Sequence, residues 1–86
     1  MTIVDELREL IMRSAPDPDQ AAPVRTCDPD APLDGLIPFS SVIVLGAVIA
    51  VEDRWAITVK RADLARALEG GVTLARLARM VEELAA

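Results

Sequence analysis

The sequence predicts a small, mainly helical domain, and three observations carry that expectation. Apolar residues recur at helical spacing near both ends of the chain. All six prolines fall between Pro16 and Pro38, which confines the helix breakers to one stretch. Capping residues stand where the periodic stretches begin. With 86 residues the chain is expected to form a single domain over residues 1–86. A domain of this size buries roughly 60–65% of its unfolded surface and needs no staples. Hydrophobic residues make up 52% of the chain and aromatic ones only 2%, so Leu, Val, Ile, Ala and Met must build the core.

The first helix is expected over residues 2–14. Val4, Leu7, Leu10 and Ile11 fall on one face, with Arg8, Glu9 and Arg13 on the other. Thr2 is placed to cap it, with Asp5 three residues on, as in a capping box. A long Pro-rich loop, residues 15–40, is expected next. Pro16, Pro18, Pro23, Pro29 and Pro32 oppose a regular helix there, and Asp17, Asp19, Asp28, Asp30 and Asp34 suit turns. Val24, Leu33, Leu36 and Ile37 are candidates for pinning the loop over the core.

Residues 41–54 are ambiguous on local grounds. Val42, Ile43, Val44, Val48, Ile49 and Val51 are β-branched and favour a strand. A hairpin over 42–59 and a helix capped by Ser40 or Ser41 both fit, and an all-round apolar segment has no periodicity to separate them. Beyond it, residues 60–68 suit a short helix ended by Gly70 and Gly71. Thr73 then caps a last helix over 73–84, with Leu74, Leu77, Val81 and Leu84 as its buried stripe.

Charge and composition exclude several functions. Fourteen acids against nine bases leave a net charge of −5, which argues against a nucleic-acid backbone binder. With no His, there is no His general base, no His metal ligand and no Ser-His-Asp triad. Cys27, the single cysteine, makes no internal disulfide and is too little for a zinc site, which suggests a reducing, cytoplasmic setting. The acids Asp5, Glu6 and Glu9 speak against a signal peptide. The longest apolar run, residues 42–51, is about half of what a membrane span requires. No catalytic residue and no metal site is expected, and the chain reads as a non-enzyme.

Three stretches carry a resemblance to a known family. Ala31-Pro-Leu-Asp-Gly-Leu-Ile-Pro-Phe-Ser-Ser-Val42 resembles a loop that ends in Asp-Ser-Leu. Ala50-Val-Glu-Asp-Arg-Trp-Ala-Ile-Thr-Val59 resembles the end of a second helix, an acidic pair followed by an aromatic and an extended Ile-x-Ile/Val. Gly71-Val-Thr-Leu-Ala-Arg-Leu-Ala-Arg-Met-Val81 resembles a final Thr-x-x-x-Leu helix. In this order, over nearly the whole length, the chain resembles the acyl carrier protein family, and the departures point to a specialised member. The resemblance implies an all-α four-helix bundle of acyl-carrier type: three longer helices, a short third helix, and a long Pro-rich loop between helices 1 and 2. It makes residues 41–54 the second helix, against their β propensity.

The same resemblance implies the function. A 4′-phosphopantetheine arm would be carried on Ser41, the serine reached by counting back from Trp55, with Ser40 as helix cap and second choice. An acyl or aminoacyl group would ride on that arm as a thioester, in fatty-acid, polyketide or related biosynthesis. The implied partners are a phosphopantetheinyl transferase and the enzymes that load and process the acyl group.

The departures are as informative. Ser40 and Pro38 stand where the family usually has Asp and Gly, and Ile43 and Gly46 where it usually offers acids to basic partners. Residues 41–51 carry no charge at all, so Ile43, Gly46 and Ala47 are expected to meet an apolar partner, or a second copy through the apolar helix. Residues 1–53 have a net charge of −7 and residues 54–86 one of +2. Partner binding should therefore depend less on salt than is usual for electrostatically steered complexes. Two alternatives remain: a carrier-like interaction module that is never loaded, and a small helix-turn-helix DNA binder with Arg76 and Arg79 facing the duplex.

Overall fold

The architecture is all-helical in the computed structural model, which describes residues 2–15, 17–36 and 41–85. Among these described residues five α-helices follow in order: α1 (Ile3–Ser14), α2 (Pro18–Ala21), α3 (Ser41–Trp55), α4 (Arg61–Leu68) and α5 (Leu74–Ala85). No strand occurs among the described residues. The segment that local propensity left open between hairpin and helix is α3.

The start of α1 is set locally. The Asp5 amide donates to Thr2 Oγ1 at 3.1 Å, and the Thr2 amide donates to the Asp5 carboxylate at 3.4 Å. This reciprocal pair satisfies two of the amides that a helix start leaves open. Leu7 and Ile11 point into the core and are fully buried.

The stretch expected as loop contains short helical turns. Asp17 caps α2, accepting from the Asp19 amide at 3.0 Å, and 3₁₀ turns follow at Ala22–Arg25 and Leu33–Gly35. Proline fits here because it lies in the first turn of α2 and again of the Ala22–Arg25 turn, where its missing N–H has no helical partner to lose. Proline prevents a long helix in this stretch, but it helps to start short ones.

Three sets of contacts tie this stretch down. Val24 and Leu33 have no exposed surface and plug the core. Arg8 Nη1 reaches from α1 to the carbonyls of Val24 and Cys27, each at 2.8 Å. The Leu33 amide donates to the Val72 carbonyl and the Ala75 amide to the Pro29 carbonyl, each at 2.9 Å.

The helices α1 and α3 run antiparallel. Gly46 lies against Ser14, near the end of α1, and Arg54 pairs with Glu6, near its start. A Cβ on Gly46 would fall 3.1 Å from the Ser14 Cβ, so glycine is what allows this close approach. After α3 the chain turns at Ala56, whose φ of 53° is left-handed. The turn is held by the Ile57 amide on the Glu52 carbonyl at 3.2 Å and the Val59 amide on Glu52 Oε2 at 2.9 Å. Gly70 and Gly71, both at positive φ, then redirect the chain from α4 into α5. Thr73 Oγ1 accepts from the Arg76 amide at 3.1 Å and caps α5. Leu74, Leu77, Ala78, Met80 and Val81 of α5 are buried.

Candidate functional site

Ser41 is the first residue of α3, the longest helix among the described residues. Pro38 and Ser40 lie outside the described residues, as do the side chains of Ser41 and Val42. What the structure describes next to the serine is therefore the helix that follows it; before it, the described chain ends at Leu36, three residues after the buried Leu33.

The sides of α3 have different surroundings. Ile43, Ala47 and Val51, one helical turn apart, are buried in the core. Gly46 faces α1 at Ser14. Of the residues expected to meet a partner, Ile43 and Ala47 thus contribute to the core, and Gly46 serves an internal approach. Leu45 and Ile49 face solvent instead, at 63% and 57% exposure. Their outward position is not legible in the sequence, because the run of residues 42–51 has no polar residue to mark its outward side. The rotation of α3 about its axis is set by where the core lies, and no local signal encodes it.

The inward side of α3 also borders an apolar crevice. Val44 and Val48 line it together with Leu10 of α1, Leu64 and Leu68 of α4, and Met80 of α5. Its free volume is about 20 Å³, room for about one water-sized occupant. An apolar space of this kind stays dry, and an aliphatic chain enters it only if the lining helices move apart.

Cys27 is half-buried beside Arg8, with its sulfur 3.7 Å from Arg8 Nη1 and the thiol donating to the Val24 carbonyl at 3.7 Å. Its surroundings belong to the clamp that Arg8 forms between α1 and the Ala22–Arg25 turn. Among the described residues no group of three or more His, Cys, Asp or Glu side chains is placed to hold a metal ion. No helix of the described residues is long and apolar enough to cross a membrane.

α4, the glycine turn and α5 do form two helices around a tight turn. Arg76 and Arg79 are exposed on α5, but Glu82 and Glu83 are exposed there as well. A phosphate backbone would meet acids and bases together on that helix, which weakens the case for DNA binding. No family model, curated protein or solved structure matches the chain.

Proposed function

We propose that the chain is a carrier protein that holds an acyl or aminoacyl group as a thioester on a 4′-phosphopantetheine arm at Ser41. The observation that carries this reading is the position of Ser41 as the first residue of α3, in an all-helical fold with an apolar crevice alongside that helix. In this reading the fold is a carrier-type helical bundle of α1, α3, α4 and α5, with the segment between α1 and α3 as its long connection.

The helix start suits a phosphodiester, because the helix dipole adds positive potential there. This favours the product without activating the hydroxyl, so a separate transferase must supply the base. When bound, the arm supplies a terminal thiol that carries the acyl group. This chain's residues hold the serine at a helix start, and Val44, Val48, Leu64 and Leu68 offer an aliphatic cargo an apolar wall. Loading and processing enzymes would approach along the neutral outward side of α3, at Leu45 and Ile49.

Intact mass after co-expression with a broad-specificity phosphopantetheinyl transferase tests the proposal. One added phosphopantetheine, lost in Ser41→Ala and kept in Ser40→Ala, is the expected result. A signal that survives Ser41→Ala removes the assignment of the serine. If no transferase loads the chain, the unloaded interaction module replaces the carrier. The exposed pair Leu45 and Ile49 is the observation in favour of that second reading.

A further inference from the structure

The outward charges of α5 run against the dipole of their own helix. Acids are favourable in the first turn of a helix and bases in the last. α5 has no acid in its first turn and no base in its last. Its arginines, Arg76 and Arg79, come early, and its acids, Glu82 and Glu83, come at the end; all four are exposed. None of the four side chains has an ion-pair partner among the described residues. Base before acid is also the weaker order for a pair within one helix. Among the described residues no ion pair compensates this arrangement.

A second α5 laid antiparallel does compensate it. With a two-fold axis beside Met80, Arg76 comes opposite Glu83 of the second copy, and Arg79 lies within about one turn of its Glu82. The symmetry makes each pair occur twice, so one helix face is its own complement. The two helix dipoles also run in opposite directions across the axis. The same side of α5 borders a groove of about 260 Å³ shared with α4. Ala67, Met80 and Leu84 give that groove apolar lining, and Arg66 and Glu69 join its charged rim. Charged side chains make up most of that lining, Asp63, Arg76, Arg79 and Glu83 included, so this face would recognise its partner by charge. Arg66 is already engaged by Asp63 of its own helix at 2.6 Å, so it does not compete for the acids of α5.

We infer that the outward face of α5 is a self-association surface, on which two copies pair through antiparallel α5 helices. Arg76 and Arg79 of each copy meet Glu83 and Glu82 of the other. One helix face falls short of the roughly 800 Å² per partner of a standard stable interface. The dimer is therefore weak, forms at high protein concentration, and dissociates as salt screens its charges. Loading at Ser41 is not required for it.

Sedimentation velocity on the full chain tests this, from about 10 μM to about 1 mM protein, at about 20 mM and about 500 mM NaCl. The average mass should rise from 9.2 kDa towards its double at low salt and fall back at high salt. The double variant Arg76→Glu with Arg79→Glu should weaken association about tenfold or more, and so should Glu82→Arg with Glu83→Arg. Mixed one to one, the two variants should associate again, because each supplies the charge the other lacks. Each reversal removes the unfavourable charges at one end of the helix, so circular dichroism should show full helix content in each. A chain that stays monomeric throughout overturns the inference, as does a mixture that fails to associate. Association that survives both reversals and high salt but is lost in Leu45→Lys overturns it in favour of α3.

Discussion

The helices α3 and α5 sit on one core and meet solvent in opposite ways. α5 buries Leu74, Leu77, Met80 and Val81 and exposes Arg76, Arg79, Glu82 and Glu83. α3 buries Ile43, Ala47 and Val51, yet turns Leu45 and Ile49 outward. In α5 polarity alone specifies which side is inside. In α3 the core specifies it, and the outward side stays as apolar as the inward one until Glu52. Stability and surface chemistry therefore separate differently in the two helices. A change on the outward side of α5 alters charge pairing, whereas one on the outward side of α3 alters an apolar patch.

The largest effect is expected where α5 meets the core. Leu74→Ala removes a side chain with no exposed surface and should cost about 3 kcal/mol of unfolding free energy in urea titration. A loss under about 1 kcal/mol would mean that the α5 stripe is not the anchor it is taken to be. On α3 the counterpart is the approach to α1. Gly46→Val should destabilise by about 2 kcal/mol, because the new side chain meets Ser14. Ser14→Gly in the same chain should recover part of that loss in a double-mutant cycle; full additivity would show that the two helices do not touch there.

Smaller effects probe the end and the outward side of α3. Ala56→Gly should stabilise by about 1 kcal/mol, since glycine adopts the left-handed φ of 53° without strain. A thermal melt checks it, with an expected rise of roughly 4–8 °C. The smallest change is expected from Leu45→Lys together with Ile49→Lys. With both side chains more than half exposed, stability should stay within about 0.5 kcal/mol of the parent chain. A substantial loss in the same melt would place these residues under a packed contact and remove the contrast between the helices.

Much of α1 and α5 is legible in the sequence, and the reasons are local. Thr2 and Asp5 lie three residues apart, so their reciprocal hydrogen bonds follow from the helix start itself. The mixture of leucines with arginines and glutamates in residues 74–85 shows which side of α5 turns inward. The segment between α1 and α3 is legible only in part. Its prolines announce interruptions, but they do not say that Val24 and Leu33 become fully buried plugs, or that Arg8 clamps two of its carbonyls. Those contacts join residues far apart in the chain, beyond the reach of any local pattern. The candidate attachment residue, Ser41, could be named from its flanks, whereas the outward pair Leu45 and Ile49 could not.

What the sequence determined by itself is the start and the rotation of α1 and α5, and the exclusion of a long helix from the proline-rich stretch between α1 and α3. Caps act over three residues, and polarity contrast orients a helix without knowledge of its neighbours. What only the tertiary structure decided is the state and rotation of residues 41–55. Six β-branched residues favour a strand there, and a uniformly apolar run has no preferred side. Packing against α1 settles both: Gly46 admits the close approach to Ser14, the pairing of Arg54 with Glu6 holds the other end, and Ile43, Ala47 and Val51 then turn inward. Burial energy summed over one side of a helix exceeds the small propensity differences that opposed it.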